Sequence, residues 1–257
     1  MSVAWLCLMS GVCSTLAVSE PPEEYVCLKE AYTEHVCGWG AGQVILCDGG
    51  LVPWDNGYIS EDYIDYLDHA DLSDQMKIKY PLGREYDHPE LNEDPGRARS
   101  EVFFRRIYGQ DARAVRKTLK DVTWMVEHGG RTIRVTGVNG VDTKLKAVER
   151  ELMQLDRAVW KKVIKDSGTF VWRAIKGTNG RLSMHSFAIA VDVGVPISDY
   201  WRWNKPDAEG RYAYKNKMPL EVVEVFERHG FIWGGKWYHF DTMHFEYRPE
   251  LILCGER

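Results

Sequence analysis

From Asp142 onward, apolar residues recur at spacings of three and four through Leu145, Val148, Leu152 and Leu155. That period places them on one stripe of a helix, the face a core covers. A second helix is predicted over Pro219 to His229, with Leu220, Val223 and Phe226 inward, Pro219 in the first turn and Gly230 as its stop. A third runs from Glu101 to Tyr108, with Asp94-Pro95 as punctuation ahead of it and Gly109 ending it. Elsewhere the pattern is that of strands. Ile133 to Val138 and Phe170 to Ile175 read as two, the second carrying Arg173. Ile189 to Val195 alternates branched apolar residues with small ones and with Asp192, the pattern of a buried strand with one polar side chain turned inward. Phe240 to Tyr247 reads as another strand, bent near Thr242-Met243 because Asp241 and His244 otherwise point to opposite faces. Residues 20 to about 92 differ in character. They are rich in Gly, Asp, Tyr and Pro, with turn signals at Asp48-Gly49-Gly50 and Asp55-Asn56-Gly57, and read as an ancillary segment of short strands and loops. Helices and strands mixed without βαβ alternation, and without repeats, predict an α+β domain with a central antiparallel sheet flanked by helices.

The polar residues inside these apolar runs are the candidate chemistry. A lone buried carboxylate is costly unless paired or bound to a metal, so Asp192 needs a partner. His185 stands an odd number of positions before it and cannot share its strand face, which places His185 in the loop entering the strand. Two imidazoles and one carboxylate, His185, Asp192 and His244, match the ligand count of a catalytic zinc, whose fourth position is left for water. Asp241 lies three positions before His244, where a general base could reach that water without binding the ion. Glu246 shares a face with His244 and rivals it as ligand or Asp241 as base. A non-haem iron triad also uses two His and one carboxylate, but usually with the carboxylate two positions after the first His, closer than Asp192 stands to His185.

Composition changes the picture in three places. The net charge of −5, with no basic run, removes nucleic acid from the expected partners. The aromatic load is high, with 10 Trp and 13 Tyr. Trp201, Trp203, Trp233 and Trp237 gather near the candidate ligands, as core or as a sugar or peptide platform. The run from Val3 to Val18 is apolar, too short to span a bilayer, and offers small residues for cleavage at Thr15-Leu16-Ala17, so export to a periplasm or cell envelope is expected and no transmembrane span. No Lys or Arg precedes that run, and Ser10-Gly11-Val12-Cys13 is similar to a lipoprotein box with Val where a small residue is wanted; a retained, locally buried helix is the other reading. Cys27, Cys37, Cys47 and Cys254 then imply disulfides, one within the first three and one from the remaining member to Cys254. None forms a Cys-x-x-Cys knuckle, which argues against a structural zinc.

Ser183-x-His185-x-x-x-x-Ala190-x-Asp192 followed by Asp241-x-x-His244-Phe245-Glu246 resembles the M15 zinc peptidases. These are the D-alanyl-D-alanine carboxypeptidases and dipeptidases and the L-alanyl-D-glutamate endopeptidases. Trp172-Arg173-Ala174-Ile175 and the stretch Phe231 to Trp237 join the resemblance, which spans about residues 115 to 254; from Asp94-Pro95-Gly96-Arg97 the chain is similar to a carboxypeptidase-like branch. The resemblance implies an M15/hedgehog-type zinc fold over 93–257, after a signal segment over 1–18 and a disulfide-containing ancillary segment over 19–92. It implies one Zn2+ per chain on His185, Asp192 and His244, with Asp241 as base. Arg173 would polarise the scissile carbonyl or grip a substrate carboxylate, and Ser183 and Trp237 would contact substrate. The implied substrate is cell-wall stem peptide, cut by a monomer as a D-alanyl-D-alanine carboxypeptidase or as an L-alanyl-D-glutamate endopeptidase; a non-catalytic zinc-bearing binding module is the alternative of another class. Two departures stand out. Ala188 occupies a place where the family usually has Gly, so a backbone with positive φ there would be strained. Asp241 stands where the dipeptidases have Glu, which weakens that reading.

Overall fold

The computed structural model describes residues 20–257, so the signal and lipid-box readings between Val3 and Val18 lie outside the described residues. Helices α1 (Glu24–Ala31), α2 (Tyr63–His69), α3 (Leu72–Lys77), α4 (Glu101–Tyr108), α5 (Ala112–Arg116), α6 (Val141–Leu152), α7 (Arg157–Trp160), α8 (Leu220–Arg228) and α9 (Pro249–Gly255) alternate irregularly with strands. The first sheet holds β1 (Val36–Gly40), β2 (Gln43–Leu46) and β3 (Leu51–Pro53), and the second is the pair β4 (Leu119–Trp124) and β5 (Arg131–Thr136). A third contains β6 (Asp166–Gly168), β7 (Ala190–Val193), β8 (Phe231–Trp233) and β9 (His244–Tyr247), in the spatial order β6-β7-β9-β8. The α+β class is as expected, but the central sheet is not: among the described residues the strands divide into three small antiparallel sheets. The strands run only three to six residues, short enough for turns and helices to separate them into three sheets.

The helices follow the local signals. Ser100 caps α4 by accepting from the Phe103 amide at 3.3 Å, and Gly109 ends it at φ +137°, a conformation an L side chain resists. Val141, Leu145, Val148 and Leu152 form the buried stripe of α6, and Leu155 falls past its end against the same core. Helix α8 starts after Pro219 and lays Phe226 on Phe245 of β9, ring centroids 3.9 Å apart. Gly230 follows at φ +87°, where a Cβ would meet the Tyr247 ring at 2.8 Å. Phe170 to Ile175 is not a strand. Its backbone pairs with the turn carrying His185 instead of a ladder: Val171 N donates to His185 O at 3.2 Å, Ile175 N to Arg181 O at 2.8 Å, and Arg173 N to Ser186 Oγ at 3.0 Å.

The ancillary segment is built into the same core as the rest. One apolar cluster runs from Tyr25, Leu28 and Tyr32 through Phe103, Trp124 and Phe187 to Phe245 and Leu251. Cys37 bonds Cys47 within the first sheet, and Cys27 bonds Cys254, joining α1 to α9 as the cysteine count suggested. Lys236 lies buried with Glu227 at 2.5 Å and donates to the carbonyls of Pro81 and Gly83, so its place in the Phe231–Trp237 motif is structural.

Candidate metal centre

Strand pairing delivers two of the three candidate ligands. β7 and β9 run antiparallel with Asp192 opposite His244 and Ala190 opposite Glu246, so these side chains share one face of the sheet. Val191 and Phe245 face the other way, onto the core around Phe226. His185 arrives from the 3-10 turn Met184–Phe187 immediately before β7, as its parity required. That turn ends at Ala188 with φ 57° and ψ 32°, so the chain does hold an alanine in the left-handed region, fully buried.

His185 Nε2 lies 3.2 Å and His244 Nδ1 3.1 Å from Asp192 Oδ1, and the three ligand atoms all lie within 4.8 Å of one another. Ligand atoms about 2.0–2.1 Å from a tetrahedral zinc stand about 3.3 Å apart, so the spacing fits. The remaining ring nitrogens make the same point. His185 Nδ1 lies 2.6 Å from the Thr169 carbonyl, which only accepts, so Nδ1 carries the proton and Nε2 presents its lone pair. His244 Nε2 lies 3.0 Å from Glu246 Oε2, and the same reasoning leaves Nδ1 as the ligand atom. Glu246 sits behind the His244 ring, its other contacts being Arg99 Nη1 at 3.1 Å and Arg248 Nη1 at 2.8 Å. Charge points the same way. Burial would lower the His244 pKa, yet hydrogen bonds to Asp192 and Glu246 push it up to about 10. Asp192, despite burial, is held well below the usual carboxylate range by His185 and His244. Together the three side chains could hold a metal ion.

Asp241 sits beside the triad, its amide donating to Gly234 O at 2.9 Å and its carbonyl accepting from His244 N at 3.2 Å. Its Oδ1 is shielded from solvent and makes no hydrogen bond. Burial pushes its pKa up to about 6; His244 and Arg97 pull it down and Asp192 adds to the rise. These residues open into a cleft of about 100 Å³ that Arg97, Arg99, Arg173, Ser183, Tyr200 and Trp237 also line.

The sequence-derived substrate residues fare unevenly. Ser183 and Trp237 both line the cleft; Trp237 is buried, its Nε1 donating to Pro95 O at 2.7 Å and its ring 5.6 Å from that of His244. Arg173 lines it too, but is exposed rather than buried, because its segment is an irregular loop. Trp233 belongs to the core, whereas Trp203 is 60 % exposed. Arg97, Arg99 and Tyr200 were not picked out as lining residues; only the Asp94-Pro95-Gly96-Arg97 motif hinted at the first. Arg97 stacks on Trp237 at 5.1 Å and donates to His239 O at 2.9 Å.

Residues 176–247 match the family model described as D-alanyl-D-alanine carboxypeptidase. Over this stretch the chain is similar to the M15 peptidases. The stretch contains every one of the M15-like site residues except Arg173, which lies just ahead of it. Neither a curated protein nor a solved structure matches the chain.

Proposed function

We propose that this chain is a zinc-dependent peptidase of cell-wall stem peptides, acting as a carboxypeptidase that releases a terminal D-alanine. The observation that carries this reading is Asp241: a carboxylate with an unpartnered oxygen beside a His185–Asp192–His244 triad of zinc-like spacing, facing a cleft. A pure binding site needs no such group. A bound zinc would supply electrophilic activation of the carbonyl and an acidified water.

The chain's own residues do the rest. Asp241 takes a proton from the attacking water and delivers it to the departing amine, a role suited to a carboxyl whose pKa burial has raised. Arg173, exposed along the cleft, meets the developing oxyanion or a substrate carboxylate with its planar fork. Asp192 anchors both histidines, and the buried Trp237 ring closes the wall beside His244. Two disulfides suit an exported protein, and no helix among the described residues is long and apolar enough to cross a membrane.

The test is zinc-loaded protein incubated with two defined muropeptides, one ending in D-Ala-D-Ala and one lacking the terminal residue, with products weighed by mass spectrometry. Loss of one alanine from the first alone is expected. Cleavage between L-Ala and D-Glu in both would make the chain an endopeptidase, and no product from either would remove the peptidase reading.

A further inference from the structure

Nothing in the peptidase reading explains a second row of buried charge behind the metal face. His244, Glu246, Arg248 and Glu250 follow one another at every second position, and the last three are fully buried. His244 Nε2 meets Glu246 Oε2 at 3.0 Å; Arg248 Nη1 meets Glu246 Oε1 at 2.8 Å; Arg248 Nε meets Glu250 Oε1 at 2.6 Å. The row ends in the ancillary segment. Gln75 Nε2 of α3 donates to Glu250 Oε1 at 3.0 Å, and the hydroxyl of Tyr32, just past α1, donates to Glu250 Oε2 at 3.0 Å. Side supports hold it: Arg248 Nη1 donates to Gly96 O at 2.7 Å, Arg99 Nη1 reaches Glu246, and Gln75 Oε1 accepts from Ser100 N at 3.1 Å.

We propose that the ancillary segment serves as an intramolecular brace for the metal ligand His244, acting through Glu250, Arg248 and Glu246 as positioning residues. This rests on the reading of His244 as a zinc ligand. Stability alone does not account for the row, because a buried ion pair is often no more stabilising than apolar groups of the same volume. Orientation does. An imidazole on a strand can turn about its side-chain bonds, and only a fixed acceptor on Nε2 keeps Nδ1 aimed across the sheet at Asp192. Glu246 is such an acceptor only while both its oxygens are held, and Arg248, which holds Oε1, is itself oriented by Glu250. Glu250 is in turn fixed by Tyr32 and Gln75, and the Cys27–Cys254 bond ties α1 to α9 within one turn of it. Arg248, Glu250, Arg99, Tyr32 and Gln75 all lie outside residues 176–247, the stretch that matches the M15 model.

The experiment measures zinc affinity of the full chain by competition with a chelator. Glu246→Gln should weaken it about 10–100-fold, the range for losing a partner of a metal-bound histidine. Tyr32→Phe with Gln75→Met keeps the volumes and removes the far anchors; a loss of about tenfold is expected, at the low end of that range. Val52→Ala, buried in β3 with no polar link to the row, is the matched control: it lowers the unfolding midpoint and leaves zinc affinity alone. The ring nitrogen shifts of His244 at saturating zinc should report Nδ1 bound and Nε2 protonated in the wild type and in Val52→Ala, and a fraction of His244 rings off the metal in the anchor variant. Anchor variants that bind zinc as tightly as Val52→Ala overturn the brace. Wild-type protein that takes up no zinc overturns the metal reading, and the brace with it.

Discussion

His185 and His244 meet at one carboxylate from opposite kinds of support. His185 stands on a short turn and is oriented by a main-chain carbonyl, that of Thr169, with a left-handed alanine closing the turn behind it. His244 stands in a strand and is oriented by a side chain, Glu246, at the head of a buried ionic row. A main-chain acceptor cannot be removed by substituting one side chain, whereas a carboxylate can. The orientation of the loop histidine is therefore protected from point mutation and exposed to backbone distortion; the strand histidine has the reverse weakness.

The largest effects should come from the ligands themselves. His185→Ala, His244→Ala and Asp192→Ala should each abolish zinc retention and turnover, read by elemental analysis and by peptide cleavage; a variant that keeps stoichiometric zinc removes that residue from the ligand set and ends the parallel between the two histidines. Asp241→Asn should next separate metal from chemistry. The amide keeps the shape but takes no proton, so zinc should stay near one per chain while turnover falls about 10²–10⁴-fold. If this variant loses its zinc, Asp241 is a ligand. Third, replacing Cys27 and Cys254 together by serine reopens a loop with a sequence separation of 227 and should cost about 2–5 kcal/mol, more than removing the Cys37–Cys47 bond, whose separation is 10. Denaturant midpoints compare the two; an equal loss would mean that native-state strain, not chain entropy, governs both. Smallest is the loop side. Ala188→Gly relieves a positive φ and should stabilise the protein by about 0.5–1 kcal/mol with zinc affinity unchanged. A drop in the unfolding midpoint would mean that the Cβ packs better than its backbone is strained.

Legibility in the sequence followed range. Helices α4, α6 and α8 were readable because period, cap and stop lie within a dozen residues of one another. Alternation placed Asp192 on a strand, and parity put His185 off it and called for a bend between Asp241 and His244. Phe170 to Ile175 reads as a strand from its composition, but the partners of its backbone lie in the turn around Ser183 to Ser186 and in Arg181. The role of Glu246 was open for a similar reason. Alternation put it on the His244 face, but only Arg99 and Arg248 draw it behind the ring instead of toward Asp192. Three short sheets in place of one likewise reflect pairings that no local pattern encodes.

The row behind His244 also sets an order of assembly. Its contacts join positions separated by 147, 175 and 218 residues. Closing such loops is slow, because the entropy is lost before the contact forms. The seating of His244 against this row should therefore come late in folding, after α1, α3 and α9 have met. Zinc offered to a chain early in refolding finds His185 and Asp192 near each other in sequence, but no fixed third ligand. Uptake of the ion should lag behind the gain of helix signal, so that metal binding reports completion of the native topology instead of directing it.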